Sequence, residues 1–271
     1  MRKICIINQK GGVGKTTTTV NLAVGLADAG KKVLVLDLDA QGNVSSCLPA
    51  ESEKDMYDLL VENADVVDCI ARVNDNLHII PSRETLTKAE LILVGEQSRE
   101  MVIKRKLENV SGYDYILLDC PPSLGLLNQN AMLYADEAIV PASTDILGLD
   151  GLQKIAAAIN KINEVFDHEI QISTVVPTMH DSRLKVCKAV LKEMNKEYFG
   201  RVSDPIRTNS KLKEAPSAKA SIYEYAKYSN GAKDYRKLVE LVIREEKDES
   251  SSVSRQLELA NGKVMYKVPS E

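Results

Sequence analysis

Tryptophan is missing from this chain and phenylalanine occurs only twice, so aromatic residues supply 4% of the sequence. A ring-stacking surface for sugars or bases has too little material here, whereas an aliphatic α/β core fits the composition. Cysteine is sparse and scattered, at positions 5, 47, 69, 120 and 187, odd in number and without a Cys-x-x-Cys pair. That pattern argues against a disulfide framework or a zinc site and for a reducing cytosol. His78, His168 and His180 are the only histidines and show no metal-ligand spacing. Long apolar runs are also lacking, since no window approaches the roughly 18 residues a membrane-spanning helix requires. The first apolar run, Ile4 to Ile7, breaks at Asn8-Gln9-Lys10, too short for a signal core, and reads as a buried strand. A soluble, cytoplasmic protein without membrane attachment is expected.

The 271 residues suffice for one large domain with a well-buried core. The formal net charge is −4, unevenly spread: residues 183–237 hold 14 Lys and Arg against 6 Asp and Glu. Basic charge is a regional property of the chain, balanced by acid elsewhere.

Short β-branched runs at 3–7, 33–38, 77–80, 115–118, 138–140 and 170–176 alternate with amphipathic stretches at 15–29, 84–109, 149–166, 182–198 and 231–246. The apolar continuity of most of these runs suggests strands covered on both faces. Alternation of this kind predicts an α/β fold, a doubly wound, mostly parallel twisted sheet with helices on both faces. No repeat of 20 to 50 residues is present. The packed domain should span 1–246. Residues 247–255, which begin Lys247-Asp248-Glu249 and carry Ser250 to Ser252, read as a flexible linker. In 256–271, the Asn261-Gly262 pair between two apolar segments suggests a C-terminal hairpin.

Directly after the first strand comes Lys10-Gly11-Gly12-Val13-Gly14-Lys15-Thr16-Thr17, opening a long helix. Glycines at 11, 12 and 14 let backbone N–H groups turn in around phosphate oxygens, and the helix N-terminus adds its positive end. Lys15 should neutralise β and γ oxygens, Thr16 should bind Mg²⁺, and Thr17 should reach the α-phosphate. Gln9 stands where the common P-loop pattern has its first glycine, and Lys10 brings a second lysine into the loop. The second strand runs into Asp37-Leu38-Asp39, at the carboxyl edge where α/β ligands bind. One carboxylate there can hold a Mg²⁺-bound water and the other orient an attacking water, the latter role assigned to Asp39. A third strand ends Leu117-Leu118-Asp119, a Walker B pattern, before Cys120-Pro121-Pro122. Cys120 reads as a small buried apolar residue.

Together, the Lys10 to Thr17 loop, the Asp37 to Asn43 run and Leu118-Asp119-Cys120-Pro121-Pro122 resemble the deviant Walker A ATPases, whose best-known members are ParA/Soj and MinD. The resemblance covers about residues 1–245 and implies a P-loop NTPase that uses ATP and Mg²⁺. In that family the first loop lysine, here Lys10, reaches across a two-fold interface to the partner's phosphates, so the ATP state is a homodimer. The Pro205 to Ser217 segment resembles the partition branch, and by position it implies that Pro205, Arg207 and Asn209 lie by the adenine. Lys211 matches an arginine that relatives use to bind DNA without sequence preference; Arg183, Lys185, Lys188, Arg207, Lys213, Lys219 and Lys227 are further candidates for double-stranded DNA. The branch implies a nucleoid-associated partition ATPase stimulated by a ParB-like partner.

Three other functions fit parts of the pattern. A MinD-like membrane-cycling ATPase requires an amphipathic C-terminal helix in place of the expected linker and hairpin. An electron-transfer ATPase like the nitrogenase iron protein requires paired cluster cysteines, which the scattered ones do not supply. A ParA-like positioner of non-DNA cargo shares every motif above.

Overall fold

In the computed structural model, the backbone is described for residues 1–262 and side chains for residues 1–246. Seven strands form a single sheet: β1 (Arg2–Ile6), β2 (Val33–Asp37), β3 (Ala71–Arg72), β4 (Leu77–Ile80), β5 (Tyr115–Asp119), β6 (Glu137–Ser143) and β7 (Gln171–Thr178). Their order is β3-β4-β2-β5-β1-β6-β7, and every pairing is parallel except the short β3–β4 ladder at one edge. The doubly wound parallel sheet expected from the alternation is thus the observed fold.

Strand period explains the two layers. Ile4 and Ile6 point into one apolar cluster, with Val33, Val35, Tyr115 and Leu117. Cys5 and Ile7 point into the other, with Leu34, Leu36, Ile116 and Leu118. Alternate side chains leave a strand on opposite faces, so a strand that is apolar at every position needs helices on both. The first face is covered by α1 (Lys15–Asp28), α2 (Asn43–Cys47), α11 (Ile222–Tyr225) and α12 (Asn230–Gly262). The second is covered by α3 (Met56–Leu60), α4 (Val66–Cys69), α5 (Ala89–Leu93), α6 (Val102–Lys106), α7 (Leu126–Tyr134), α8 (Ile146–Phe166) and α9 (Lys185–Glu197). One further short helix, α10 (Ser210–Glu214), lies between β7 and α12 in the chain.

The structure departs from the sequence reading at several places. The single helix expected over 84–109 is broken into α5 and α6, each led by a 3₁₀ turn, with Gly95 and a left-handed Ser98 (φ 51°) in the break. Helix α7, the short helices α2, α3, α4, α10 and α11, and the edge strand β3 lie outside the elements expected from the sequence. The segment 247–255, expected as a linker, continues α12, because no proline or glycine interrupts the chain between Gly231 and Gly262. The first arm of the expected hairpin is helical too, through Asn261-Gly262. Its second arm, 263–271, lies outside the described residues.

The sheet register sets the site. β1 lies between β5 and β6, Ile6 pairs with Asp119, and Asp37 pairs with Asp119 on the other side. Loop 8–14, Asp37 and Asp119 therefore meet at one carboxyl edge.

Candidate functional site

The glycine-rich loop is held at both ends. Asn8 is fully buried, donates through Nδ2 to the Pro141 carbonyl (2.8 Å) and accepts from the Lys10 N–H (3.0 Å). Gly12 (φ 72°) and Gly14 (φ 93°) adopt the left-handed conformation that non-glycine residues rarely take, and Gly14 starts α1. Lys15 is 7% exposed, and its Nζ folds back to donate to the Lys10 carbonyl at 3.3 Å, so the ammonium spans the loop. Burial pulls its pKa down while Asp119 and Asp39 oppose that fall.

Asp119 is fully buried and accepts from two hydroxyls one turn apart on α1, Thr16 Oγ1 (2.7 Å) and Thr19 Oγ1 (2.8 Å). Burial pushes its carboxyl up to about 6, with the Thr16 and Thr19 hydrogen bonds and the Lys15 charge pulling the other way. Asp37 is equally buried, and burial reinforced by the Asp119 charge holds its pKa well above the usual carboxylate range. Its two oxygens accept from the Asp39 and Val44 N–H groups, both at 3.1 Å. Asp37 thus braces the turn into α2, and the metal role expected for it competes with those two bonds. β2 ends at Asp37, Leu38 still donates its N–H to the Asp119 carbonyl (3.0 Å), and Asp39 lies just past the strand. Asp39 is half-buried at the mouth of the site, where its Oδ1 accepts from the Gln41 N–H at 3.0 Å.

Lys10 turns the other way. Its Nζ donates to Ser143 Oγ (3.0 Å) and to both oxygens of Asp145 (3.0 and 3.1 Å). Ser143 ends β6 and Asp145 caps α8, accepting from the Gly148 N–H at 2.7 Å. Neither partner had been singled out in the sequence, although an acid directly before an apolar helix at a strand's carboxyl end is a cap signal.

Beside the loop opens a cleft of about 290 Å³ lined by Val13, Gly14, Thr17, Arg207, Asn209 and Tyr235, among others. Arg207 and Asn209, expected by the adenine, both line this cleft. Pro205 is not among the lining residues; Ile206, buried beneath the segment, is. Asn209 caps α10 through the Lys211 N–H (2.8 Å). Thr178, Met179 and Tyr235 complete this wall from distant parts of the chain and had no local sequence signal.

The basic candidates are exposed but divided. Lys185 and Lys188 lie on α9, and Arg183 before it is tied to Asp181 at 2.6 Å. Lys211 and Lys213 lie on α10, where Lys211 pairs with Glu214 at 2.7 Å. Lys219 is left-handed (φ 50°), and the Lys227 ammonium sits 5.9 Å from the Tyr228 ring centre. Arg207 is drawn onto Asp234 at 2.6 Å and is the least free of the set.

A parallel sheet whose central strand feeds a glycine loop, a buried lysine and a hydroxyl pair backed by a strand-end aspartate defines a P-loop nucleotide-binding protein. A family model described as an AAA domain matches residues 1–172. The chain is 42% identical over 245 residues to the sporulation initiation inhibitor protein Soj of Bacillus subtilis, covering 88% of this chain and 97% of that one. It is 38% identical over 249 residues to the chromosome-partitioning ATPase Soj of Treponema pallidum, covering 90% and 98%. Among solved structures, the septum site-determining protein MinD from Pyrococcus horikoshii in complex with Mg-ADP is similar, with a TM-score of 0.74, 29% identity and coverage of 89% and 95%. The chain belongs to the ParA/Soj group of the ParA/MinD-type P-loop ATPases.

Among the described residues, no helix is long and apolar enough to cross a membrane.

Proposed function

We propose that this protein is an ATPase that converts ATP to ADP and phosphate, dimerises in the ATP state, binds double-stranded DNA without sequence preference in that state, and partitions or positions plasmid or chromosome cargo. The observation that carries the reading is the division of labour between two lysines five residues apart. Lys15 is buried across the loop, whereas Lys10 is held outside it by Ser143 and Asp145. A protomer needs only one of them to bind a triphosphate, and the second is free to be offered elsewhere. A lysine that crosses to a partner's phosphates neutralises the charge that would otherwise keep two nucleotides apart.

The residues present suit a magnesium ion. Mg²⁺ favours few protein ligands, completing its shell with phosphate oxygens and water, and the Thr16 hydroxyl with Asp119 behind it offers that pairing. When bound, the ion neutralises charge on the β and γ oxygens. Lys15 and the Gly11 to Gly14 amides bind and orient the phosphates. Asp39, at the mouth of the site, orients the attacking water.

DNA contact rests on the local basic excess of residues 183–237. Phosphate contacts require no base-reading geometry, and pairing two weak basic surfaces in a dimer multiplies their affinity. A ParB-like partner would stimulate hydrolysis and release the protein, which would act in the cytoplasm at the nucleoid.

Light scattering and DNA retention measured on the same samples with ADP, ATP and a nonhydrolysable ATP analogue test this reading. A dimer and salt-sensitive retention are expected with ATP and the analogue and not with ADP, and both are lost in Lys10→Ala. Retention indifferent to nucleotide or to Lys10→Ala would refute it.

A further inference from the structure

The cleft beside the loop is walled by a segment held from two sides: main-chain hydrogen bonds from Ile206 N–H to the Pro177 carbonyl (2.8 Å) and from Thr208 N–H to the His180 carbonyl (3.0 Å) tie it to the end of β7, and α12 fixes its side chains. Residues 204–212 run without regular structure until α10, and the first two turns of α12 grip them at three points. Lys237 pairs with Asp204 at 2.8 Å. Gly231 is packed so closely on Leu212 that an added Cβ would fall 2.9 Å from the leucine Cγ. Between these, Asp234, 5% exposed, takes both the main chain and the side chain of Arg207. Its Oδ2 accepts from the Arg207 N–H (3.0 Å) and Nε (3.0 Å), and its Oδ1 accepts from an Nη at 2.6 Å.

A carboxylate that binds a guanidinium through a fork fixes its plane as well as its position. Arg207 nevertheless keeps 44% of its side chain exposed, and it lines the cleft next to Gly14 and Thr17, where the phosphate loop ends. The next residue on α12, Tyr235, forms another part of the same wall and shares a hydrogen bond with Thr18 of α1 at 3.2 Å. The cleft therefore continues from the phosphate cradle to a planar cation of fixed orientation, a surface on which a flat aromatic ring packs well.

We propose that Asp234 is a positioning residue for the nucleotide base: by gripping the backbone and guanidinium of Arg207 it fixes the wall of the cleft against which a purine ring packs. The proposal rests on the nucleotide reading above. It makes the start of α12 part of the base site, although this helix contributes nothing to the phosphate loop.

The test compares Mg-ATP with Mg-tripolyphosphate, which presents the phosphate chain without a base, by titration calorimetry on the full chain. Asp234→Asn should weaken ATP binding by about tenfold, the order expected on losing one charge-assisted contact. Tripolyphosphate affinity should stay within about twofold of wild type, because the loop does not use Asp234. Arg207→Ala should show the same split, and the double variant should be no weaker than Arg207→Ala alone, since Asp234 acts through the arginine. Unchanged ATP affinity in Asp234→Asn, a parallel loss of both ligands, or additive losses in the double variant would each overturn the proposal. So would a wild type that binds tripolyphosphate as tightly as ATP. A wild type that binds neither ligand would overturn the nucleotide reading itself.

Discussion

Lys10 and Asp145 form an ion pair at 3.0 Å across 135 residues of sequence, which ties the phosphate loop to the N-terminus of α8. Burial alone would raise the Asp145 carboxyl, but Lys10, Ser143 and the Gly148 N–H more than offset it and leave its pKa below the usual value. The pair is 29% and 49% exposed, so water screens much of its attraction, and pairs of this kind contribute up to about 1 kcal/mol. A contact that weak can be exchanged for a triphosphate. Asp145→Asn should release Lys10 and lower the protein concentration needed for the ATP-dependent dimer by about two- to fivefold, the range that energy allows. Sedimentation at a series of concentrations with the nonhydrolysable analogue measures it, and an unchanged or higher midpoint would speak against the exchange.

Asp39→Ala should bind ATP and dimerise like wild type but hydrolyse it at least about a hundredfold more slowly, the scale on which a lost water-orienting carboxylate acts. The reasoning is positional: Asp39 stands at the mouth, while the phosphate-binding groups lie on the loop and α1. Single-turnover release of phosphate, read beside light scattering, separates the two properties. Normal turnover would remove Asp39 from its assigned role.

The raised pKa of Asp119 has a consequence for stability. With a folded value of about 6 against an ordinary 3.8, the native state holds its proton more tightly than the unfolded chain. Ionisation therefore opposes folding: the penalty is fully present above pH 6, on the order of 2–3 kcal/mol, and disappears as pH falls towards 4. In EDTA and without nucleotide, Asp119→Asn should melt above wild type at pH 7.5. The gap should close as pH is lowered through about 6. A variant that melts lower at pH 7.5, or a gap insensitive to pH, would contradict the assignment.

Gly148 has no room for a side chain, since a Cβ would fall 1.9 Å from the Ser143 carbonyl oxygen and 2.7 Å from its Oγ. Gly148→Ala must push β6 and α8 apart, and overpacking of this kind costs about 1–3 kcal/mol. Because Ser143 Oγ is one of the anchors of Lys10, the shift should disturb the loop as well. Urea unfolding should show a lower midpoint with an unchanged slope. An unshifted midpoint would mean that the junction yields freely.

Much of this architecture could be read before folding was considered. A strand that is apolar at every position announces two covered faces, and the chain obeys at β1, β2 and β5. The loop from Lys10 to Thr17 carries its own geometry, because glycine takes φ of 72° and 93° at positions 12 and 14 without the steric cost a side chain would add. Helix boundaries were less legible. Residues 84–109 have the composition of one helix and are broken at Gly95 and Ser98, while 247–255, which read as a linker, and 256–262, which read as part of a hairpin, continue α12. Propensity is a weak guide where a break or a continuation depends on neighbouring layers.

Local pattern alone was enough for the period of the central strands and of α1 and α8, the loop that opens α1, and the arrival of Asp37 and Asp119 at one edge. Tertiary contact decided what each charge does there. Asp37 spends its oxygens on a turn, Lys10 is parked on Asp145, and Arg207 is drawn back onto Asp234. The reason is physical: strand and loop signals depend on neighbours two to four residues away, whereas the partner of a charged side chain is chosen by proximity in space, here across separations of up to 135 residues.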